Sequence, residues 1–315
     1  MTDNTKLEEI EQLRLAEEHA LLDEDHKEAV APKRIKKQTE LTEIMLKLDK
    51  ELKELSKSMS RGEAEKVVRA YYEFQKVRMA QAAKLRSLQK DEVGCKAPIL
   101  SSFLDCTEVL EGQIRNSLKY FALNREVGQW ALGICGIGPV LSAGLIAYID
   151  MDVAKTPGHI YSFAGIHPGV PKMEKGKKRA YNPALKVLCW KIGQSFLKVK
   201  NNKNDIYGHI LQERWELEKA RNADDMFAEQ AAKSLDGKVW KNKVVEATYK
   251  SGKLPDGHLL QRACRYATKL FLSHWWEVAY TEHYGKAPGI DPWVIAHGGH
   301  VHKIPVPNWN NLGSC

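Results

Sequence analysis

With 315 residues, 43% hydrophobic side chains and 28% charged ones, the chain can bury a substantial core. A formal net charge of +8 and a pI near 9.0 favour a polyanionic partner over an acid-rich solvating role. The six cysteines are scattered without a CxxC pair, which argues against a disulfide framework and points to a reduced, cytoplasmic chain.

The chain opens on an acidic arm, residues 1–33. Its first thirty residues hold ten acids against three bases, which leaves the remainder near +15. The arm is charged from its start and has no apolar signal core. It reads as a weakly amphipathic helix interrupted at Pro32, either simply solvated or shielding the basic surface when no ligand is bound. From Leu41, apolar residues at Met45, Leu48, Leu52, Leu55 and Met59 keep the 4-3-4-3-4 spacing of a heptad seam. Ser60-Arg61-Gly62 breaks it, and a second helical run passes through Val67, Tyr71, Phe74, Val77, Leu85 and Leu88. Residues 34–93 are therefore expected to form a helical hairpin, or a coiled coil joining copies of the chain through residues 35–90. An ordinary bundle helix is the alternative.

After a linker at Gly94–Pro98, a helix is predicted from about Ile99 to Ala122. The next segment, Val127 to Ile149, has no charged residue in 23 positions. It is long enough to span a bilayer. Five glycines and Pro139 within it would leave backbone groups unsatisfied in lipid, so no membrane span is expected. Two helices around a tight turn fit better. Trp130 to Ile134 end the first, Gly136-Ile137-Gly138 make the turn, and Pro139 opens the second, where its missing N–H costs nothing. Val140, Ala143, Gly144 and Ala147 give that helix a face for close packing. The turn aims the free N–H groups of a helix start outward, where the dipole favours an anion. It resembles the helix-hairpin-helix motif, whose GIG turn holds one DNA phosphate without reading bases. A Lys or Arg often follows that turn; here Val140 and Leu141 do. A buried hairpin without a ligand is the structural alternative.

Beyond an irregular stretch from Asp150 to Asn182, helices are expected over Pro183–Lys200, Ile206–Ala223 and His258–His283. A polar excursion occupies Asp224–Gly257, and residues 286–315 form a Pro/Gly-rich extended tail. No strand alternation is present, so the fold class is all-α. Pro171 to Lys203 carries ten bases, among them Lys172, Lys175, Lys177, Lys178 and Arg179, against Glu174 alone. Asn182 and Pro183 make a helix start just after them. On the last helix Arg262, Arg265 and Lys269 recur at i, i+3 and i+7, a stripe that either tracks phosphates or is the wet face. Trp275, Trp276 and Tyr280 fit core spacing better than base stacking. His297, His300 and His302 have ligand-like spacing but no neighbouring acid or cysteine, so no metal and no cofactor is expected.

Four blocks follow one another in order: GICGIGPVLSAGLIAYIDMD, IYSFAGIHPG, RAYNPALKVLCWKIG and RACRYATKLFLSHWWEVAY. Together they resemble the C-terminal domain of the bridge-RNA-guided DEDD transposases, related to the Piv-type DNA invertases, over about residues 100–285. The resemblance implies a helical DNA-binding domain, residues 99–285, that also touches guide RNA and assembles through coiled-coil helices. It departs from the family twice. The N-terminal RNase H-like domain with its metal-binding acids has no counterpart in residues 1–99. The family's catalytic serine falls in a Ser-Gly pair, where this chain has Lys175-Gly176. Ser162 and Ser195 match no motif, so no catalytic residue is assigned. The expectation is a non-catalytic, nucleoid-associated protein that binds duplex DNA through Gly136, Ile137, Gly138 and the two basic faces. The alternatives are a recombinase subunit completed by a partner chain, or a scaffold for structured RNA.

Overall fold

The computed structural model describes residues 50–92, 96–170, 176–236, 239–289 and 303–309. Every regular element among them is an α-helix, so the all-α expectation holds. The chain divides into Met1–Leu48 and Asp49–Cys315, and the described residues all lie in the second unit.

Helix α1, Arg61–Asp91, starts where Ser60 accepts a hydrogen bond from the Glu63 N–H at 3.1 Å, with Glu63 in the favourable first turn. Its partner is α2, Pro98–Leu123. Arg78 bonds Glu111 at 2.6 Å and Thr107 bonds Gln81 at 3.1 Å, a descending pairing that fixes the two helices antiparallel. The helical residues 50–57 pack on the far end of α2. The Lys53 ammonium lies 5.2 Å from the Tyr120 ring centre, and Asn124 donates to the Lys57 carbonyl at 2.9 Å. That face turns Leu52 and Leu55 outward, at 37% and 65% exposure. Only Met59 of the described heptad residues is buried; Leu41, Met45 and Leu48 lie outside the described residues.

The uncharged segment forms α3, Glu126–Leu132, and α4, Pro139–Tyr148, joined by the expected turn. Eight of the ten α4 residues are buried, because α1, α2, α3 and α6 (Pro183–Val199) surround it. A helix enclosed on every side has no wet face to carry charge, which accounts for the bare composition. Glycine lets its neighbours close in: a Cβ on Gly144 would lie 2.8 Å from Leu188 Cδ2. No described helix is long and apolar enough to cross a membrane.

The irregular stretch after α4 contains one short helix, α5, Pro157–Phe163. Helices α6, α7 (Tyr207–Ala223) and the long α10 (Asp256–Tyr284) form the rest of the main core. Phe196 stacks on Tyr207 at 4.9 Å and Trp130 on Phe271 at 5.7 Å. Trp275 and Trp276 are buried, at 1% and 2% exposure, as their spacing implied. Val68 and Tyr71 of α1 belong to the same core, so the boundary expected near residue 93 falls at a connection within its span.

The expected polar excursion is instead two short helices, α8 (Ala228–Leu235) and α9 (Lys243–Lys250). Phe227, Ala231, Tyr249, Leu254 and Leu259 give them a small core of their own. Residues 303–309 lie across the main core without regular structure. The Trp130 indole N–H donates to the Pro307 carbonyl at 2.8 Å, and His274 Nε2 meets the Ile304 carbonyl at 3.0 Å. His274 Nδ1 meets the Tyr207 hydroxyl at 2.7 Å, and burial pushes the imidazole pKa down. A neutral ring, protonated on Nε2, satisfies both contacts.

Candidate nucleic-acid interface

Helices α6 and α10 cross with a cleft of about 120 Å³ between them. Lys186, Cys189, Trp190 and Gly193 line it from α6, Gln261, Cys264, Arg265 and Thr268 from α10, and Ile166 lines it from the stretch after α5. Gly193 sets the floor, since a Cβ there would stand 2.9 Å from Thr268 Oγ1 and 3.3 Å from Cys264 Cβ. Burial pushes the thiols of Cys189 and Cys264 up to about 12 and about 11, so both are inert apolar wall rather than nucleophiles.

Cations on or next in sequence to the lining residues sit over aromatic rings. The Lys186 ammonium lies 4.2 Å from the Tyr181 ring centre, and that of Lys269 lies 5.4 Å from Tyr161. The Tyr161 hydroxyl donates to the Lys269 carbonyl at 2.8 Å and ties α5 to α10. Burial, and then the nearby Arg265, hold the Lys269 ammonium below its usual range. Residues 176–180, with Lys177, Lys178 and Arg179, are exposed just before α6. The turn that delivers them is specified locally. Asn182 Oδ1 caps α6 by accepting from Ala184 and Leu185 at 2.9 and 3.2 Å, and the Asn182 N–H donates to Phe163 at 2.8 Å. Lys172 and Lys175, like His297, His300 and His302, lie outside the described residues.

No Asp or Glu occurs in residues 153–173, 175–204 or 257–276, and these three stretches contribute every cleft and rim residue named above. The cleft lining therefore holds no carboxylate; Glu174, which separates the first two stretches, lies outside the described residues. The charged side chains lining the cleft, Lys186 and Arg265, are thus of one sign.

The basic stripe on α10 divides. Arg265 is exposed, at the cleft. Arg262 turns to the other side, bonding Glu218 and Gln230 at 2.7 Å each, over the Phe227 ring at 4.3 Å. Glu218 is fully buried and also pairs with Arg214. Burial alone would raise its pKa, but hydrogen bonds from Arg262 and Arg214 outweigh it and hold the carboxyl below the usual range.

The glycine turn has the expected form and a different address. Gly136 takes φ of +88°, where its Cβ would also press on Val199 Cγ2 at 3.1 Å. Its carbonyl accepts from Ser195 Oγ at 2.5 Å. Ile137 is buried, whereas Gly138, the residue before α4, has open space around it. At 100° per residue, Leu188, Ser195 and Val199 lie roughly opposite Lys186, Trp190 and Gly193 on α6. Turn and cleft therefore occupy opposite sides of one helix. An acid is near the turn: burial raises the Cys135 thiol pKa, and the buried Asp205 adds to the effect.

Sequence reasoning passed over Trp190. It is 57% exposed on a helix whose buried stripe is Leu185, Leu188, Ile192 and Phe196, and helical phase alone places it off that stripe. Among the described residues no group of His, Cys, Asp and Glu is arranged to hold a metal. No family model, curated protein or solved structure matches the chain.

Proposed function

We propose that the protein is a non-catalytic nucleic-acid-binding protein that grips the phosphates of duplex DNA, with the acid-free face of α5, α6 and α10 as its main contact. The observation that carries this reading is that Lys186 and Arg265 line one cleft with no carboxylate in its lining, with Lys269 further along α10 and the exposed run Lys177, Lys178 and Arg179 preceding α6. The Gly136–Gly138 turn is a second contact on the opposite side of α6, able to offer the Val140 and Leu141 N–H groups to one phosphate. Kinship with the transposase C-terminal domain is part of the proposal and rests on the four sequence blocks. Self-association through residues 35–90 is also part of it and rests on the heptad spacing, favoured by the outward Leu52 and Leu55; a monomer in sedimentation equilibrium would end it.

The test is duplex binding across a salt series. With about five phosphates neutralised, log affinity falls against log salt with a slope of about −4 to −5. Replacing Lys177, Lys178 and Arg179 together by Ala weakens binding to all sequences alike and flattens the slope by about 2 to 3. A slope near zero for the unaltered protein overturns the phosphate grip, and an unchanged slope in the triple variant removes that run from it.

A further inference from the structure

We infer that the α6–α10 cleft receives one unpaired nucleobase, stacked on Trp190, so that the protein holds single-stranded or looped segments more tightly than the duplex alone requires. The inference rests on the proposed nucleic-acid reading and adds what the cleft itself takes. Three features point to it. The indole of Trp190 is 57% exposed, and its ring meets no other ring or cation among the described residues. A large aromatic face left in water beside a cationic rim is the platform on which bases stack, and every base has a face to offer.

Size is the second feature. At about 120 Å³ the space is far below the roughly 300 Å³ at which small-molecule pockets begin, and it suits one planar heterocycle. Chemistry is the third. The walls are apolar at Cys189, Cys264 and Ile166, while Gln261 and Thr268 bring hydrogen-bonding groups for a base edge. Lys186 and Arg265 stand at the rim, placed for the phosphates on either side of the inserted base, and no carboxylate in these stretches opposes them. A paired base hides its faces in the stack, so the duplex cannot use this site without unstacking.

The experiment compares the full chain with Trp190→Ala and Trp190→Phe. The probes are oligo-dT, oligo-rU and a duplex of equal length, with affinity read by anisotropy at one fixed salt concentration. Trp190→Ala is expected to lose about tenfold on both single strands and less than twofold on the duplex, with Trp190→Phe restoring most of the loss. Equal losses on dT and rU identify the base face, and a loss confined to one of them would mean that the cleft reads the sugar or the thymine methyl instead. If single strands bind but Trp190→Ala leaves them unaffected, or if only the duplex binds, the cleft assignment is overturned while the phosphate grip stands. If the unaltered protein binds none of the probes, both fall.

Discussion

Two arginines one turn apart on α10 belong to different kinds of surface. Arg262 faces the small α8–α9 core, where the buried Glu218 collects it together with Arg214. Arg265 faces the α6 cleft, where the contributing stretches contain no acid. The first surface pairs its arginines with a buried carboxylate; the second sets Lys186 and Lys269 over aromatic rings. Net charge does not separate the two, since both are rich in Lys and Arg. The position of the carboxylates does.

Breaking the first surface gives the largest expected effect. Glu218→Ala leaves two partly buried guanidiniums facing each other and costs about 3 kcal/mol of stability, read by chemical denaturation. Because the folded-state pKa of Glu218 is depressed, its contribution is complete above its ordinary 4.5 and is lost as pH falls through the lowered folded value. The acid limb of the stability profile therefore flattens in the variant, and an unaltered limb shows that the carboxylate is not a major determinant. The two arginines give mirror-image results. Arg262→Ala costs about 2 kcal/mol, with the duplex affinity of the folded protein unchanged. Arg265→Ala stays within about 0.5 kcal/mol in stability but lowers duplex affinity and cuts the salt slope by about 0.9. Equal behaviour of the two would erase the distinction between the surfaces.

The smallest effects separate fold from contact in the glycine turn. Gly136→Ala forces a side chain into positive φ against Val199 and costs about 1–2 kcal/mol. Gly138→Ala meets open space at an ordinary φ of −88° and changes stability by less than about 0.5 kcal/mol. If a phosphate approaches the backbone there, duplex affinity drops severalfold; an unchanged affinity confines the turn to architecture.

Much of this molecule was legible because its signals are local. Asn182 and Pro183 announce α6, and Gly136-Ile137-Gly138-Pro139 announces the turn into α4, each within four residues of the element it starts; Ser60-Arg61-Gly62 was legible as a break, and its cap on α1 was not. What escaped depends on distance along the chain. Helices α8 and α9 are short and polar, and stand only because Phe227, Tyr249 and Leu259 meet across thirty residues. The fate of Arg262 was hidden because Glu218 lies 44 residues away. That the turn and the basic cleft sit on opposite sides of α6 follows from packing, which no spacing within either segment reports. Trp190 is the exception, since the phase of its own helix was enough to place it outside the core.

The tether of residues 303–309 closes the main core from far along the chain. Trp130 and His274 donate to carbonyls 177 and 30 residues further along the chain, and Val306 and Trp309 cover the core beside them. A chain that ends before residue 303 thus leaves that indole and imidazole without their carbonyl partners. A product truncated there is marked by exposed aromatic surface, the kind of signal that chaperones and proteases act upon.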